Sequence, residues 1–298
     1  MTAPGRPPAA AGNPLALAAL FAGATAIATA GLFVKVSETG PVATAFWRVF
    51  LALPVLWAWA LFDNPRAHFA GFARDHRLLI AAGLFFAGDL AVWHWSIVLT
   101  SVANATLLSN LAPIFVTLAV WLWFGARPKR IFLVGLSAAL AGVVMLIGVD
   151  FGAPGHVLGN AVGVVSAMFY AGYQLTVTRL RAAASTGSIM AWSGVAMAVA
   201  LLPLALMSSE PFLPVTQVGW IKLIALALIC QVGGQSLIAY AMAHLPATFS
   251  SVGLLLQPVM AALFAWVLLG ETLGTTQIVG GLIVLAGIYI AHQSGRGR

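Results

Sequence analysis

The sequence predicts an all-α integral membrane protein with ten transmembrane helices in two inverted five-helix repeats. Three observations lead to this fold class: the composition, the lengths of the apolar segments and an internal repeat. Of the 298 residues, 61% are apolar and only 7% are charged, against about 25% charged in a typical soluble domain. So few charges cannot cover a globule in water, which excludes an ordinary soluble enzyme, a disordered chain and a coiled coil.

Ten apolar segments follow one another along the chain, separated by charges, by proline and glycine clusters or by short polar runs. Each is close to the ~20 residues that a helix needs to cross ~30 Å of hydrocarbon. Strands of a membrane barrel would instead alternate in segments of about ten residues. The predicted spans are Leu15–Val36, Ala43–Phe62, Leu78–Leu99, Ala103–Phe124, Ile131–Val149, Val157–Thr178, Ser188–Met207, Val218–Ala243, Ala247–Leu269 and Thr276–His292.

The regions outside these spans are short. Residues 1–14 are expected to form a disordered cytoplasmic tail, and residues 293–298 a second cytoplasmic tail. The two repeats then occupy residues 15–149 and 157–292. The longest polar stretch, Asp63–Arg77, has fifteen residues, so no separate extramembrane domain is expected.

The fourteen basic residues are distributed unevenly between the two sides that ten spans define. Because positive residues stay cytoplasmic, both termini are predicted to lie in the cytoplasm, at the inner or plasma membrane. The net charge of +7 is then explained by the orientation of the chain in the membrane. It no longer indicates nucleic acid as a partner. Only Lys35, Arg48 and Lys222 fall elsewhere, and the eleven bases on the side of the termini are Arg6, Arg66, Arg74, Arg77, Arg127, Lys129, Arg130, Arg179, Arg181, Arg296 and Arg298.

The third to fifth segments align with the eighth to tenth, without a gap, at a shift of 145 residues. From Leu111 to Gly142, ten of 32 positions are identical to their counterparts, and these include Pro113/Pro258, Trp121/Trp266, Gly125/Gly270, Gly135/Gly280 and Gly142/Gly287. Each repeat holds five spans, an odd number, so the two halves enter the membrane in opposite directions. Inverted repeats commonly place a substrate site near the midplane, which indicates a transporter or channel, although duplication also produces folds that do not transport.

Four prolines are predicted inside spans two, four, seven and nine, which correspond in pairs across the repeat. Each removes one helical hydrogen bond and favours a kink. We interpret them as candidate hinges; the alternative is a set of static kinks, since proline is common in membrane helices. The four are Pro54, Pro113, Pro203 and Pro258.

Asp89 is the only acid well inside a predicted span, near the middle of the third. Trp93 lies one turn further on the same face, and His94 is its neighbour in sequence. Polar groups in spans are costly and tend to face a bundle interior or a water-filled cavity, so these three are candidate substrate-binding residues. The carboxylate suits an ammonium or a proton, and the ring suits stacking or a cation. The alternative is that Asp89 bonds a neighbouring helix and the aromatic rings only pack.

A second set of candidate substrate-binding residues lies in the second half. Gln231 and Gln235 are spaced to align two amides on one helix face, which suits a carboxylate or an amide substrate. Hydrogen bonds between helices would explain them almost as well. Tyr170, with Tyr173 beside it, and Gln174 form a polar and aromatic cluster in the sixth span.

Arg48 and Lys35 are predicted near the outer face, because each lies close to the end of a span. There they would either extend their charges to the water or attract anions to an outer vestibule.

Signatures of catalysis and of cofactor binding are missing from the sequence. No P-loop, HExxH motif, paired metal-binding carboxylates or Gly-x-Ser-x-Gly elbow occurs. The single cysteine, Cys230, allows neither an intrachain disulfide nor a cysteine metal cluster. We therefore expect no enzyme, no catalytic residues, no cofactor and no metal.

Two related stretches carry a family resemblance. They are Ser101-Val-Ala-Asn-Ala-Thr-Leu-Leu-Ser-Asn-Leu-Ala-Pro113 and Pro246-Ala-Thr-Phe-Ser-Ser-Val-Gly-Leu-Leu-Leu-Gln-Pro258, the second followed by Leu269-Gly270-Glu271. With the ten spans, they resemble the EamA-type branch of the drug/metabolite transporter superfamily over residues 15–292. One departure is that Gly270-Glu271 corresponds to Gly125-Ala126 in the first half. The chain is also similar to the aromatic amino-acid exporters of this type.

The resemblance implies secondary transport of small metabolites. We expect an inner-membrane exporter of small amphipathic compounds, amino acids and aromatic ones among them, that works by alternating access. The alternatives are broad efflux or uptake of lipophilic cations or other metabolites and, from another class, a membrane enzyme or scaffold. The expected partners are membrane lipids and the substrate, and ten spans suffice for a monomer to enclose a pathway.

Overall fold

The computed structural model describes residues 13–100, 102–148, 157–270 and 272–296. Within those residues the chain is helical, and ten helical spans are long and apolar enough to cross a membrane. The ten predicted spans are confirmed, and the ends of nine of them agree with the prediction to within two residues. The third span, Gly71–Trp93, begins seven residues before the predicted Leu78–Leu99 and ends six residues before it. Residues 1–12, Ser101, residues 149–156, Glu271 and residues 297–298 lie outside this description.

Fourteen α-helices and one π-helical segment make up the described chain. In order they are α1 Pro14–Ala28, α2 Ala30–Lys35, α3 Pro41–Asp63, α4 Pro65–Leu99, α5 Val102–Ser109, α6 Ala112–Phe124, α7 Arg130–Ile147, α8 Val157–Leu180, α9 Thr186–Met207, α10 Gln217–Leu226, the π segment Ala227–Gln235, α11 Ser236–Ala241, α12 Ala247–Gly253, α13 Leu256–Leu269 and α14 Thr275–Arg296.

Local chemistry sets several of the helix ends. The Asn13 side chain accepts hydrogen bonds from Leu15 N and Ala16 N at 3.1 and 3.2 Å, and Pro14 opens α1 because its missing N–H costs nothing there. At the other end of a helix, Gly125 and Gly270 stop α6 and α13 in the left-handed region, with φ of 68° and 69°. Gly125 and Gly270 also correspond to each other in the internal repeat. The two halves are therefore alike in backbone conformation at this position as well as in sequence.

The two prolines of spans four and nine lie at interruptions of their helices. Span four breaks at Asn110–Leu111, just before Pro113, and span nine breaks at Leu254–Leu255, just before Pro258. The cause is the missing N–H of proline, which cannot bond the carbonyl four residues earlier. Pro54 and Pro203, by contrast, lie inside α3 and α9, which continue through them. The four hinges remain predictions, and the two helix breaks are the places where bending is easiest.

The polar stretch Asp63–Arg77 is mostly helical. α4 begins at Pro65 and runs for 35 residues to Leu99, with one non-helical residue, Asp75, at φ −116° and ψ 15°. Breaking the chain at its charges starts the predicted third span too late, because charged residues continue a helix readily outside the hydrocarbon.

The two repeats pack against each other over their whole length. α4 lies against α8 and α9, α3 lies against α9, and α7 forms a close pair with α14. In the last pair a Cβ on Gly135 would come within 2.5 Å of Ala291 N, and one on Gly142 within 2.6 Å of Gly280 O. Glycine is therefore required where these two backbones meet, as in other small-residue interfaces of membrane helices.

The two ends of the helix bundle are named by the positions of the first and last helices. The near end is the end at which α1 begins and α14 finishes, and the far end is the opposite one. By the predicted topology the near end is cytoplasmic.

Candidate functional site

Arg48 is buried at the centre of the bundle. Only 7% of its surface is exposed, although it carries a charge. Its Nε donates to Gln231 Oε1 at 3.1 Å, and its guanidinium carbon lies 5.8 Å from the centre of the Phe86 ring. The Nη2 atom is buried without a hydrogen-bond partner in the described chain. Because burying an unsatisfied charged donor is costly, this atom is suited to binding an anionic group.

The prediction for Arg48 was wrong. It does not extend to the water at the outer face, because α3 turns this side chain towards the π segment. The sequence signal that would have found it is the recurrence of Thr44, Arg48 and Ala52 every four residues, which places Arg48 on the buried face of α3.

An aromatic stack adjoins Arg48. The Phe86 and Tyr173 rings are 4.7 Å apart and inclined by 24°, and Tyr170 lies parallel to Tyr173 at 6.2 Å. Offset stacking of this kind is favourable, and the Phe86 and Tyr173 rings are themselves buried. Phe86 belongs to the first repeat and both tyrosines to the second, so the stack joins the two halves.

The two predicted glutamines occupy this junction. Gln231 and Gln235 are 0% and 1% exposed and lie in the π segment of span eight. Gln235 Nε2 donates to the Tyr173 hydroxyl at 3.0 Å, while Gln231 accepts from Arg48. Such π-helical turns are frequent at functional sites, and nothing in the residue pattern indicated this one.

Asp89 lies one helical turn from Phe86 and is partly buried. Its Oδ1 accepts a hydrogen bond from Ser166 Oγ at 2.6 Å, so the carboxylate does bond a neighbouring helix. It also interacts electrostatically with Arg48 and Tyr170, which puts it beside the same cluster. Within the described chain, Asp89 and Arg48 form no direct ion pair with each other. A dipolar molecule could therefore meet both charges.

Trp93 lies one turn beyond Asp89 and is partly buried. The side chain of His94 lies outside the described residues, so its predicted role stays a prediction.

A small cavity of about 20 Å³, lined by polar and apolar residues, lies at the two helix breaks against α8. Gln174 lines it, is 1% exposed, and finds no hydrogen-bond partner for either amide atom in the described chain. The full lining is Ser109, Asn110, Ala112, Pro113, Tyr170, Gln174, Ser251, Leu254, Leu255 and Gln257. The structure thus separates Gln174 from the two glutamines of the π segment, with Tyr170 between them.

A larger pocket of about 460 Å³ lies between the same three spans, towards the near end. It is mostly apolar and has one charged residue in its lining, Arg179 at the end of α8. The other residues around it are Val120, Ala126, Leu175, Thr178, Pro246, Ala247 and Thr248.

The far-end connection joins the loop before α3 to the loop before α10. Glu38 accepts hydrogen bonds from Val215 N and Thr216 N, both at 2.9 Å, and from the Thr216 hydroxyl. Gly40 N donates to Pro211 O at 2.9 Å. These hydrogen bonds lower the pKa of the exposed Glu38 carboxyl below its ordinary value.

The near-end connection joins the start of α4 to α9. His68 Nδ1 lies 3.0 Å from Ser188 Oγ, and its ring stacks on Trp192 at 5.4 Å. Phe72 and Trp57 also contact the Trp192 ring, with centroids 3.9 and 4.7 Å away. Burial lowers the pKa of His68 below its ordinary value, because a charged imidazole would lose its water there.

The EamA-like transporter family model matches the chain twice, at residues 14–148 and 157–292. The chain belongs to the EamA-like transporter family. The predicted resemblance to this family is confirmed, and the family model matches each half of the chain once.

Relatives of the chain in this family are named as transporters. An uncharacterized transporter of Archaeoglobus fulgidus is 27% identical over 271 residues, which cover 87% of this chain and 91% of the relative. A pseudopaline exporter of Pseudomonas aeruginosa is 26% identical, over 74% of this chain and 76% of the relative. A probable terminal-alkyne amino-acid exporter of Streptantibioticus cattleyicolor is 27% identical, over 69% of each chain.

The fold is also that of a solved structure. A crystal structure covering 93% of this chain and 96% of its own superposes with a TM-score of 0.75 at 19% identity. The chain is thus a multi-pass membrane transporter of the EamA type, with the two-repeat fold of that family.

Proposed function

We propose that this transporter exports small amphipathic metabolites that carry both a carboxylate and an ammonium group, amino acids and aromatic ones among them. The observation that carries the proposal is the presence of two opposite charges, the buried Arg48 and the partly buried Asp89, beside one aromatic stack between the two repeats.

The chemistry of the cluster matches such a substrate. The unpartnered Nη2 of Arg48 would bind the carboxylate, because a guanidinium recognises carboxylates with directed N–H groups. The Asp89 carboxylate would accept from the ammonium. Phe86, Tyr170 and Tyr173 would contact the side chain, which favours aromatic and large apolar substrates. The substrate would pair two charges that are otherwise incompletely compensated.

Alternating access would follow from the division of the site between the halves. Arg48, Phe86 and Asp89 belong to the first repeat, whereas Tyr173 and Gln235 belong to the second. A relative movement of the repeats would expose the cluster at one end of the bundle and then at the other. The pocket beside Arg179 would be the entry from the near end, which the positive-inside rule makes cytoplasmic. We place the transporter in the inner or plasma membrane, acting as a monomer.

The names of two relatives support the substrate class. One is described as an exporter of pseudopaline and the other as a probable exporter of a terminal-alkyne amino acid. Both names describe export.

The test is substrate flux in proteoliposomes, with a panel of labelled amino acids. Each aromatic amino acid is compared with its decarboxylated amine and with its N-acetyl derivative. We expect saturable flux of the amino acids and at least about a tenfold loss for either analogue, since each loses one charge contact. Absence of saturable flux for every compound would reject the proposal.

Two variants distinguish this from the efflux of lipophilic cations. Asp89 beside aromatic rings also suits a cation alone, and this alternative needs no role for Arg48. Under the proposal, Arg48→Gln reduces the flux of the amino acid. It also makes the flux of the amino acid and the flux of its decarboxylated amine more nearly equal. If instead a lipophilic cation is transported and Arg48→Gln leaves its flux unchanged while Asp89→Asn abolishes it, the alternative holds.

A further inference from the structure

The small cavity at the helix breaks is not lined by Arg48 or Asp89, and it shares only Tyr170 with the proposed substrate site. Its volume is about 20 Å³. Because one water needs about 10–15 Å³, the cavity holds one particle of that size and excludes an organic substrate. Six of its ten lining residues have side chains that contain oxygen: Ser109, Asn110, Tyr170, Gln174, Ser251 and Gln257.

Gln174 is the buried polar side chain at this cavity that lacks partners within the described chain. It is 1% exposed, and neither its amide oxygen nor its amide nitrogen has a hydrogen-bond partner in the described chain. Buried polar atoms in native proteins are almost always paired, so an amide with both atoms unpaired needs a ligand. A half-turn of the amide exchanges its oxygen and nitrogen, so Gln174 can present oxygen to the cavity.

Each of the two helix breaks contributes a lining residue, Ser109 or Leu254, whose carbonyl oxygen can accept a further bond. Pro113 has no N–H, so the Ser109 carbonyl lacks the donor that an α-helix would supply. In the second break the Leu254 carbonyl accepts from Gln257 N at 2.9 Å, three residues away, and keeps a second lone pair. The C-terminal ends of α5 and α12 also carry partial negative charge. In membrane proteins with broken helices, unwound carbonyls and half-helix C-terminal ends coordinate small cations.

The chemistry of the lining selects the class of ion. The wall has no aspartate, glutamate, lysine or arginine among its ten residues. Divalent cations are held by carboxylates, and an anion would need a cationic partner. A shell of neutral oxygens replaces the hydration of a monovalent ion, as backbone carbonyls do in ion-selective filters.

We propose that this cavity is a binding site for one monovalent cation of the size of Na⁺. The ion joins the break of span four, the break of span nine and α8, so it links the first repeat to the second. It therefore stabilises the conformation in which the two breaks approach each other. A change in Na⁺ concentration shifts the transporter towards or away from that conformation. The size of the shift is limited by the difference in Na⁺ affinity between this conformation and the alternative one.

The experiment measures thermal unfolding of the purified full-length chain in nanodiscs, while Na⁺ replaces N-methylglucamine at constant ionic strength. Ligand that binds only the folded state raises the melting temperature with its concentration. We expect Na⁺ to raise the melting temperature of the native protein, with a smaller response to the larger K⁺.

Two buried serines provide a matched pair of variants. Ser251 Oγ donates to Thr248 O at 2.8 Å and lines the cavity, whereas Ser193 Oγ donates to Ile189 O at 2.6 Å in α9, away from it. Both side chains are almost fully buried, so both alanine variants lose a similar hydrogen bond. We expect Ser251→Ala to weaken the apparent Na⁺ affinity about tenfold, and Ser193→Ala to leave it unchanged.

Gln174→Leu keeps the experiment interpretable if one serine variant folds poorly. It removes both unpaired atoms and keeps a similar volume, so its melting temperature without Na⁺ equals or exceeds that of the native protein. We expect it to lose the response to Na⁺. If Na⁺ and N-methylglucamine give the native protein the same melting temperature, or if Ser251→Ala and Gln174→Leu respond like the native protein, the cavity holds only water and the proposal fails.

Discussion

The two ends of the bundle are closed at equivalent places in the repeat, the far end by two loops and the near end by helix residues, and by opposite chemistry. The far-end connection rests on Glu38, an exposed carboxylate with three hydrogen bonds to the loop before α10. The near-end connection rests on Trp192, which packs against Trp57, His68 and Phe72. One connection is polar and open to water, and the other is aromatic and largely removed from it.

This difference indicates how easily each end opens. Hydrogen bonds of an exposed carboxylate are exchanged for bonds to water at little net cost. Separating packed rings exposes apolar area and forfeits close contacts, for which water gives no compensation. We therefore expect the far end to open at a lower cost than the near end. Substrate would cross the membrane as one end of the bundle opens while the other end is closed, and then the reverse.

The largest effect is expected from Trp192→Ala. The substitution removes the ring that three neighbours contact, and loss of a well-packed aromatic side chain costs about 3 kcal/mol. The near end should open, and the melting temperature should fall. Spin labels at Arg66 and Ala182, both exposed, would report a longer distance by pulsed electron resonance, in a Cys230→Ala background.

Labels at Val36 and Val215 are the control for the far end, since both side chains are exposed there. Their distance should not lengthen in Trp192→Ala. An unchanged distance at the near end would contradict the role assigned to the aromatic packing.

A smaller effect is expected from Glu38→Gln. The substitution keeps the shape and removes the charge, which weakens the three hydrogen bonds that Glu38 accepts. The labels at Val36 and Val215 should report more of an open far end, with little change in melting temperature. Glu210→Gln, a second acid of the same end, is the matched control, and an equal response to it would reject a specific contribution of Glu38.

The smallest change in the distances between labels is expected from a change in pH. The near end and the far end should respond in different pH ranges. His68 has a lowered pKa, so its neutral form is favoured in the folded chain. Its contribution to stability is complete above its ordinary pKa of 6.5 and is lost as the pH falls below that value, because the unfolded chain then binds the proton more readily. Glu38 also has a lowered pKa, and its contribution is lost only as the pH falls below 4.5.

Lowering the pH from about 7.5 to about 5.5 should therefore loosen the near end and leave the far end closed. The two label pairs measure both ends in the same samples. His68→Gln should abolish the pH response of the near end. A response that persists in this variant, or one that appears first at the far end, would contradict the role assigned to His68.

Much of the fold was predictable from the sequence, and the site was predictable in part. The ten spans and the repeat follow from hydropathy and from paired residues such as Gly125 and Gly270. Asp89, Tyr170, Gln231 and Gln235 were singled out because polar groups are rare in apolar segments, and their role in binding substrate stays a prediction. Arg48 was misplaced, since a position near the end of a span does not reveal which way a long side chain turns. The π segment was not foreseen, because the residue pattern of span eight is that of an ordinary helix.

By itself the sequence determined that most of the chain is surrounded by lipid, how many spans it has and that its two halves form an inverted repeat. Each span must satisfy its own backbone inside the lipid, so its length and apolarity are properties of a continuous segment. Only the tertiary structure decided which buried polar groups meet. The bond between Arg48 and Gln231 joins residues 183 positions apart, and the cavity at Gln174 needs both helix breaks against α8. Such meetings depend on how whole helices pack, and no local stretch of residues contains that information.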